Sequence, residues 1–362
     1  MSTLADRLRE RIQREGPIPF YDWMKTALYD PEHGYYCRSD RERWGRAGDY
    51  RTSPEQSILF SATFARYFAK LHTALDSPDA WTIVECGAGA GYFAESVLLT
   101  LQERFPDVFR ATRYVIDEVS RNSRFQISDR LRRFAAKVEL TQLEEIEPLN
   151  PAIVFANELL DAFPVHRIVM GKGELLEFYV GVNKSGSFEW EIGKLSEQLD
   201  KNLAHLDIQL REGQIAEINP GIEQWLELVS RKIRKGYLVI VDYGAQASDL
   251  YDPGARPNGT LRAFHRHRLA EDLLMNPGEQ DLTSSINWML VKTLATKTGF
   301  KVAAFERQDK FLLGAGLLDE MELRVTLAQS ETEKVSLRAE AREMILPGGM
   351  AESFQVLVAE KR

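Results

Sequence analysis

The chain has 362 residues, 44% of them hydrophobic, enough to bury the core of one elaborated domain or two lobes. Its formal charge is −8 with no long run of one sign, which argues against bulk affinity for nucleic acid, and no apolar stretch approaches the ~20 residues of a membrane span. The two cysteines, Cys37 and Cys86, are far apart, so neither a disulfide framework nor a metal cluster is expected, and a reducing, cytoplasmic setting fits.

Met1 to Glu15 is amphipathic and Arg-rich but carries Asp6, Glu10 and Glu15, which targeting peptides avoid, so it reads as an exposed first helix. After Gly16-Pro17 a second helical segment, Tyr21 to Tyr29, runs into the aromatic turn Asp30 to Tyr36. Trp23, Tyr29, Tyr35 and Tyr36 are expected to pack an N-terminal lobe over residues 1–75 that contributes to the active site. The polar loop Gly45 to Glu55 precedes a helix predicted from Gln56 to Leu75, with Thr52 or Ser53 as its cap. Capping explains one hydroxyl only. Asp49, Ser53 and Glu55 are therefore candidates for contact with a cofactor or substrate.

From Trp81 onward strand and helix alternate as a parallel α/β sheet demands. Strands are predicted at 81–86, 113–118, 137–141, 152–156, 237–242, 301–306 and 353–359. Helical segments include Ser120 to Phe134, with Phe125, Ile127, Leu131 and Phe134 on its buried side, as well as Thr283 to Thr298 and a long charged helix from Leu317 to Ile345. Two interruptions break the alternation within residues 76–362. One, at about 165–218, carries hairpin chemistry at Gly171-Lys172-Gly173-Glu174 and Asn183-Lys184-Ser185-Gly186; the other, at about 244–282, is irregular.

The first predicted strand leads into Glu85-Cys86-Gly87-Ala88-Gly89-Ala90-Gly91, a strand, glycine-rich turn and helix. Three alternate glycines let the backbone pass close to a bound molecule, with no Cβ in the way. A dinucleotide fingerprint needs its third glycine three places after the second, and here Gly91 follows Gly89 by two. An acid followed by three alternating glycines resembles instead the first motif of class I S-adenosylmethionine-dependent methyltransferases. Glu85 would suit the ammonium group of that cofactor. Glu118, or its neighbour Asp117, ends the second strand, where a carboxylate can accept both ribose hydroxyls.

The fourth strand delivers Asn157-Glu158 with Asp161 close behind, at the sheet edge where ligands meet catalytic side chains. Carboxylates such as Glu158 and Asp161 could orient a guanidinium by paired hydrogen bonds, although a helix cap by Asn157 is the plainer alternative. Asp242-Tyr243-Gly244 ends the fifth strand in the same way and is a second candidate for the substrate rim. Arg262 to Arg268 reads as a solvated basic face. No Gly-x-Ser-x-Gly elbow is present, so nucleophilic hydrolase chemistry has no support.

Together these motifs resemble the MidA family of S-adenosylmethionine-dependent methyltransferases, related to the mitochondrial complex I assembly-factor arginine methyltransferase. The resemblance rests on Thr52-Ser53-Pro54-Glu55, Glu85 to Gly91, Asn157-Glu158 with Asp161-Ala162, Asp242-Tyr243-Gly244, and Gly259-Thr260-Leu261-Arg262-Ala263 in this order. It implies a class I, Rossmann-like, seven-stranded sheet with inserted antiparallel and helical lobes, and S-adenosyl-L-methionine as cofactor. Glu85, Gly87, Gly89, Gly91 and Glu118, with Asp49, Ser53 and Glu55, would then bind the cofactor, and Asn157, Glu158 and Asp161 would serve catalysis. The substrate it implies is a protein, by analogy an arginine on a respiratory-chain subunit. The family pattern Ala-His-Val-Asp-Phe after Asp281-Leu282-Thr283 is here Ser284-Ser285-Ile286-Asn287-Trp288, which removes two titratable groups. That change leaves two alternatives in play: an assembly factor or chaperone with little turnover, and a small-molecule methyltransferase.

Overall fold

The computed structural model describes residues 3–38, 57–199, 209–265, 268–346 and 353–362. The chain forms two compact units. One is drawn from Met1–Arg43, Leu160–Trp225 and Gly244–Val291, the other from Trp44–Leu159, Leu226–Tyr243 and Lys292–Arg362.

The second unit holds the seven strands anticipated from the alternation: β1 (Trp81–Cys86), β2 (Thr112–Asp117), β3 (Val138–Leu140), β4 (Ala152–Asn157), β5 (Gly236–Ala245), β6 (Lys301–Arg307) and β7 (Phe354–Lys361). Their spatial order is β3-β2-β1-β4-β5-β7-β6. β1 to β5 are parallel, and β7 runs antiparallel between β5 and β6. Ile83, Tyr114, Ile153, Val239 and Val358 belong to a core shared with the helices Ile58–Ala74 and Tyr92–Arg104. The intervening Val84, Val115, Val154, Ile240 and Leu357 are also buried, so both faces of the sheet are covered. This is why the strands read as continuous apolar runs. Strand order reverses between β1 and β4, and such a switch point opens a crevice at the carboxyl ends of the strands.

The first unit is built from the helices Leu4–Glu15 and Phe20–Tyr29 and an antiparallel sheet of Ile18–Pro19, His166–Gly171, Glu174–Val182, Phe188–Gly193 and Ile215–Ile218. The anticipated hairpins are there. The first turns through Lys172 and Gly173, both at positive φ; the second is held by Asn183 Oδ1, which accepts from the amides of Ser185 and Ser187. Trp23 and Tyr35 are buried, and the Tyr36 hydroxyl donates to Asp281 Oδ1 at 2.6 Å, as an aromatic lobe requires.

Four local expectations need correction. The helix expected from Gln56 begins at Ile58, and its cap is Ser57, whose Oγ accepts from the Leu59 amide. Phe125 is exposed, while Ile127, Leu131 and Phe134 are buried as expected; the helix stops at Arg130, so its buried stripe is shorter than the pattern suggests. The segment read as a helix from Thr283 starts as strand: Asp281–Thr283 pairs with Arg262–Phe264, and Ile286–Asn287 lies beside Gly244–Ala245. The helix begins at Trp288, with Asn287 Oδ1 accepting from the Leu290 amide. The long charged helix is two, Leu317–Leu327 and Glu331–Ile345. They are broken where Ser330 Oγ accepts from Glu333 N, capping a new helix, and Glu333 Oε2 accepts from Gln329 N just before it.

Candidate active site

The turn after β1 folds as its glycines allow. Gly87, Gly89 and Gly91 have φ of 73°, 56° and 80°, left-handed values that other residues adopt only with strain. Space is short as well: a Cβ at Gly87 would stand 3.0 Å from Leu159 Cδ1, and one at Gly91 would stand 3.1 Å from Ile127 Cγ1. Gly91 caps the helix Tyr92–Arg104, and Phe93 in its first turn stacks on Phe155 of β4 with centroids 4.2 Å apart. The loop is thus fastened to the sheet from behind.

Its amides are tied to the end of β2. Gly87 N donates to the Asp117 carbonyl at 2.8 Å, and Gly89 N donates to Glu118 Oε2 at 2.9 Å. Glu118 Oε1 accepts from Ser120 N at 2.8 Å, and the residue is buried. A carboxylate oxygen carries two lone pairs, the acceptor chemistry that recognises the hydroxyls of a diol. Asp117 differs: burial, with repulsion from Glu144 next, pushes its carboxyl up to about 7. Glu118 rather than Asp117 therefore presents its carboxylate to the glycine loop.

Glu85 lies one strand position before the loop and is 4% exposed. Its Oε2 accepts from the Tyr114 hydroxyl at 2.6 Å. Burial pushes its carboxyl up to about 8; the Tyr114 hydrogen bond opposes this and the charge of Glu118 adds to it. Burial thus favours the protonated form of this carboxyl, and its partner Tyr114 is likewise raised by burial.

At the end of β4 the Asn157 amide donates to Glu158 Oε1 at 3.1 Å, and Asn157 Oδ1 is buried with no hydrogen-bond partner among the described residues. Glu158 has φ of 51°, and its N donates to the Val241 carbonyl of β5 at 2.9 Å. A non-glycine residue held left-handed costs ~1–2 kcal/mol, a kind of strain that gathers at functional sites. Beside it Asp242 is fully buried, with Oδ1 accepting from Tyr243 N.

Glu85, Gly87, Gly89, Gly91, Glu118, Asn157 and Glu158 are therefore gathered at the carboxyl ends of β1, β2 and β4 in one unit. Asp161 belongs to the other, where its Oδ2 accepts from Thr283 Oγ1 at 2.7 Å. Asp49, Ser53 and Glu55 lie outside the described residues.

Two distinctive segments of the first unit have structural duties. The buried Glu217 takes Thr260 N and Oγ1 on Oε2, and a Cβ at Gly259 would collide with that carboxylate. Ser285 N donates to Thr260 Oγ1, and the Asn287 amide reaches the Tyr251 hydroxyl at 3.5 Å. Ser285, Asn287, Tyr251 and Asn219 line a small pocket in this unit. Tyr114 and Arg130, which contact Glu85 and the glycine loop, escaped sequence reasoning; nothing in the local pattern marks a partner 29 or 40 residues away.

Comparison with known proteins agrees with this geometry. Residues 63–306 match the profile of a family described as "Putative S-adenosyl-L-methionine-dependent methyltransferase". A Drosophila melanogaster protein named "Protein arginine methyltransferase NDUFAF7 homolog, mitochondrial" is 28% identical over 98% of this chain and 84% of its own. The Homo sapiens protein arginine methyltransferase NDUFAF7, mitochondrial, is 23% identical over 98% and 82%. A Burkholderia thailandensis crystal structure, bound to S-adenosyl-homocysteine, superposes with a TM-score of 0.86 at 26% identity, covering 99% of this chain and 92% of that one.

Proposed function

Because the chain belongs to this S-adenosyl-L-methionine-dependent methyltransferase family, we propose that it methylates an arginine side chain of a protein substrate. The observation that carries the reading is the bond from Gly89 N to Glu118 Oε2: it brings a buried carboxylate against a left-handed glycine loop at the switch point of the sheet. When bound there, S-adenosyl-L-methionine supplies a methyl group activated by its sulfonium. Glu118 would accept the ribose hydroxyls. The glycine loop permits close backbone approach at the amino-acid end, and the orphaned Asn157 Oδ1 offers an acceptor that a bound molecule can satisfy.

The residues' part in the chemistry is alignment and charge. Glu158, steered by the Asn157 amide, accepts guanidinium N–H groups and thereby keeps electron density on the nitrogen that is to be alkylated. The proposal extends to a respiratory complex I type subunit as substrate, on the strength of the relatives' names and the motif resemblance, and to a cytoplasmic location, which fractionation tests. Incubation of a cell extract with labelled methyl donor, followed by mass spectrometry, should find the label on an arginine of one protein. Label confined to low-mass compounds would overturn the reading.

A second reading, an assembly factor with little turnover, is favoured by one observation: Ser285 carries no titratable group, and Asn287 spends its side-chain oxygen on capping the next helix at Leu290 N. Tight binding of the methyl donor with no label on any protein would select it.

A further inference from the structure

The geometry points to Arg130 as a positioning residue that clamps the glycine loop in the conformation the cofactor requires, an inference that rests on the methyltransferase reading above. A loop with three left-handed glycines in five residues has more backbone freedom to lose than any other, and that cost falls on cofactor binding unless the protein orders the loop beforehand. The sheet side of the loop is held by Asp117 and Glu118, as described. The far side is held from the helix Arg121–Arg130. One turn before the end of that helix, Ile127 packs against the space above Gly91. At its last residue Arg130 Nε donates to the Ala90 carbonyl at 2.9 Å.

The same guanidinium lies over the Tyr92 ring, 3.5 Å from its centroid, and its Nη1 reaches Glu95 Oε2 at 3.2 Å. One planar group thus engages the last residue of the loop before Gly91, and the first and fourth residues of the helix behind it. Arg130 and Glu95 are 26% and 30% exposed, so their ion pair by itself adds little to global stability. What the three contacts together restrict is the local path from Ala90 to Tyr92. Lysine cannot replace them: a point charge can serve the Ala90 carbonyl or Glu95 but does not stack flat on Tyr92.

Losing the clamp lowers the fraction of molecules with the loop ready, and apparent affinity falls in the same proportion. The test is calorimetric titration of the full-length protein with S-adenosyl-homocysteine for wild type, Arg130→Met and Arg130→Lys, alongside unliganded thermal unfolding and amide exchange. Arg130→Met should raise Kd about 10-fold, equivalent to ~1.4 kcal/mol, and speed exchange at Ala90 to Tyr92 while Tm stays close to wild type. Arg130→Lys should fall between the two. A purely structural role would lower Tm and leave the Kd of the folded protein within about two-fold of wild type; that result, in either variant, overturns the inference. Should Arg130→Met fail to fold, Arg130→Lys carries the same test. Absence of binding by folded wild type would instead defeat the methyltransferase reading, so the two failures are distinguishable.

Discussion

Replacing Glu85 with Gln isolates what a buried carboxyl beside the cofactor loop does to this fold. The side chain is 4% exposed, and its polar partner, the Tyr114 hydroxyl, would find an equally placed acceptor in the glutamine amide oxygen. Burial raises the carboxyl from the ordinary value of 4.5 to about 8, so the folded state holds the proton more tightly than the unfolded chain. The stability this group contributes is therefore full below the unfolded value and is lost as pH rises through the folded one. Linkage limits the loss to ~1.4 kcal/mol per pH unit, or on the order of 5 kcal/mol across the whole window. Asp117, raised to about 7, adds a loss of the same sign, but it is present in both proteins and cancels in their difference. Urea unfolding of wild type and Glu85→Gln at several pH values between 4.5 and 8 measures that difference. The variant should gain on wild type steadily as pH rises. Parallel curves would mean that Glu85 is already ionised in the native protein, and would return it to the role of a charged ligand for an ammonium group.

Substitutions at three further positions test other joints of the structure. Glu118→Ala should leave the amides of Gly89 and Ser120 unpaired at ~1–3 kcal/mol each and lower affinity for S-adenosyl-homocysteine more than 10-fold by calorimetry, with Glu118→Gln milder. Glu320 is fully buried against Arg104 and 3.6 Å from Arg66, which also pairs with Asp319 at 2.7 Å; Glu320→Ala should cost ~1–3 kcal/mol in urea unfolding, chiefly because the Arg104 guanidinium loses its partner. Gly91→Ala should lose ~1–2 kcal/mol from its φ of 80° alone, with a further penalty unless Ile127 gives way, read as a lowered midpoint of thermal unfolding.

The sheet was legible because its strands are buried on both faces and bounded by turn residues, which makes them apolar runs of strand length. The glycine loop was legible for a different reason: three alternate glycines have few uses other than the left-handed path they take here. What failed was local competition. Thr283 to Asn287 joins two sheets before the helix begins at Trp288, and no periodicity over five residues distinguishes that from a helical first turn. The break at Ser330 was in principle visible, since Ser330-Glu331-Thr332-Glu333 has the sequence pattern of a capping box inside the supposed long helix. Long-range partners were not. Asp161 meets Thr283 across 122 residues, and Arg130 meets Ala90 across 40; tertiary packing alone sets both pairs.

The account stands or falls on the cofactor loop. Calorimetric titration of wild type and Gly89→Val with S-adenosyl-L-methionine tests it directly, because valine at a φ of 56° closes the backbone to a ligand. The account predicts saturable one-to-one binding by wild type that the substitution abolishes while the protein remains folded. No binding by folded wild type, or equal binding by the variant, would contradict it.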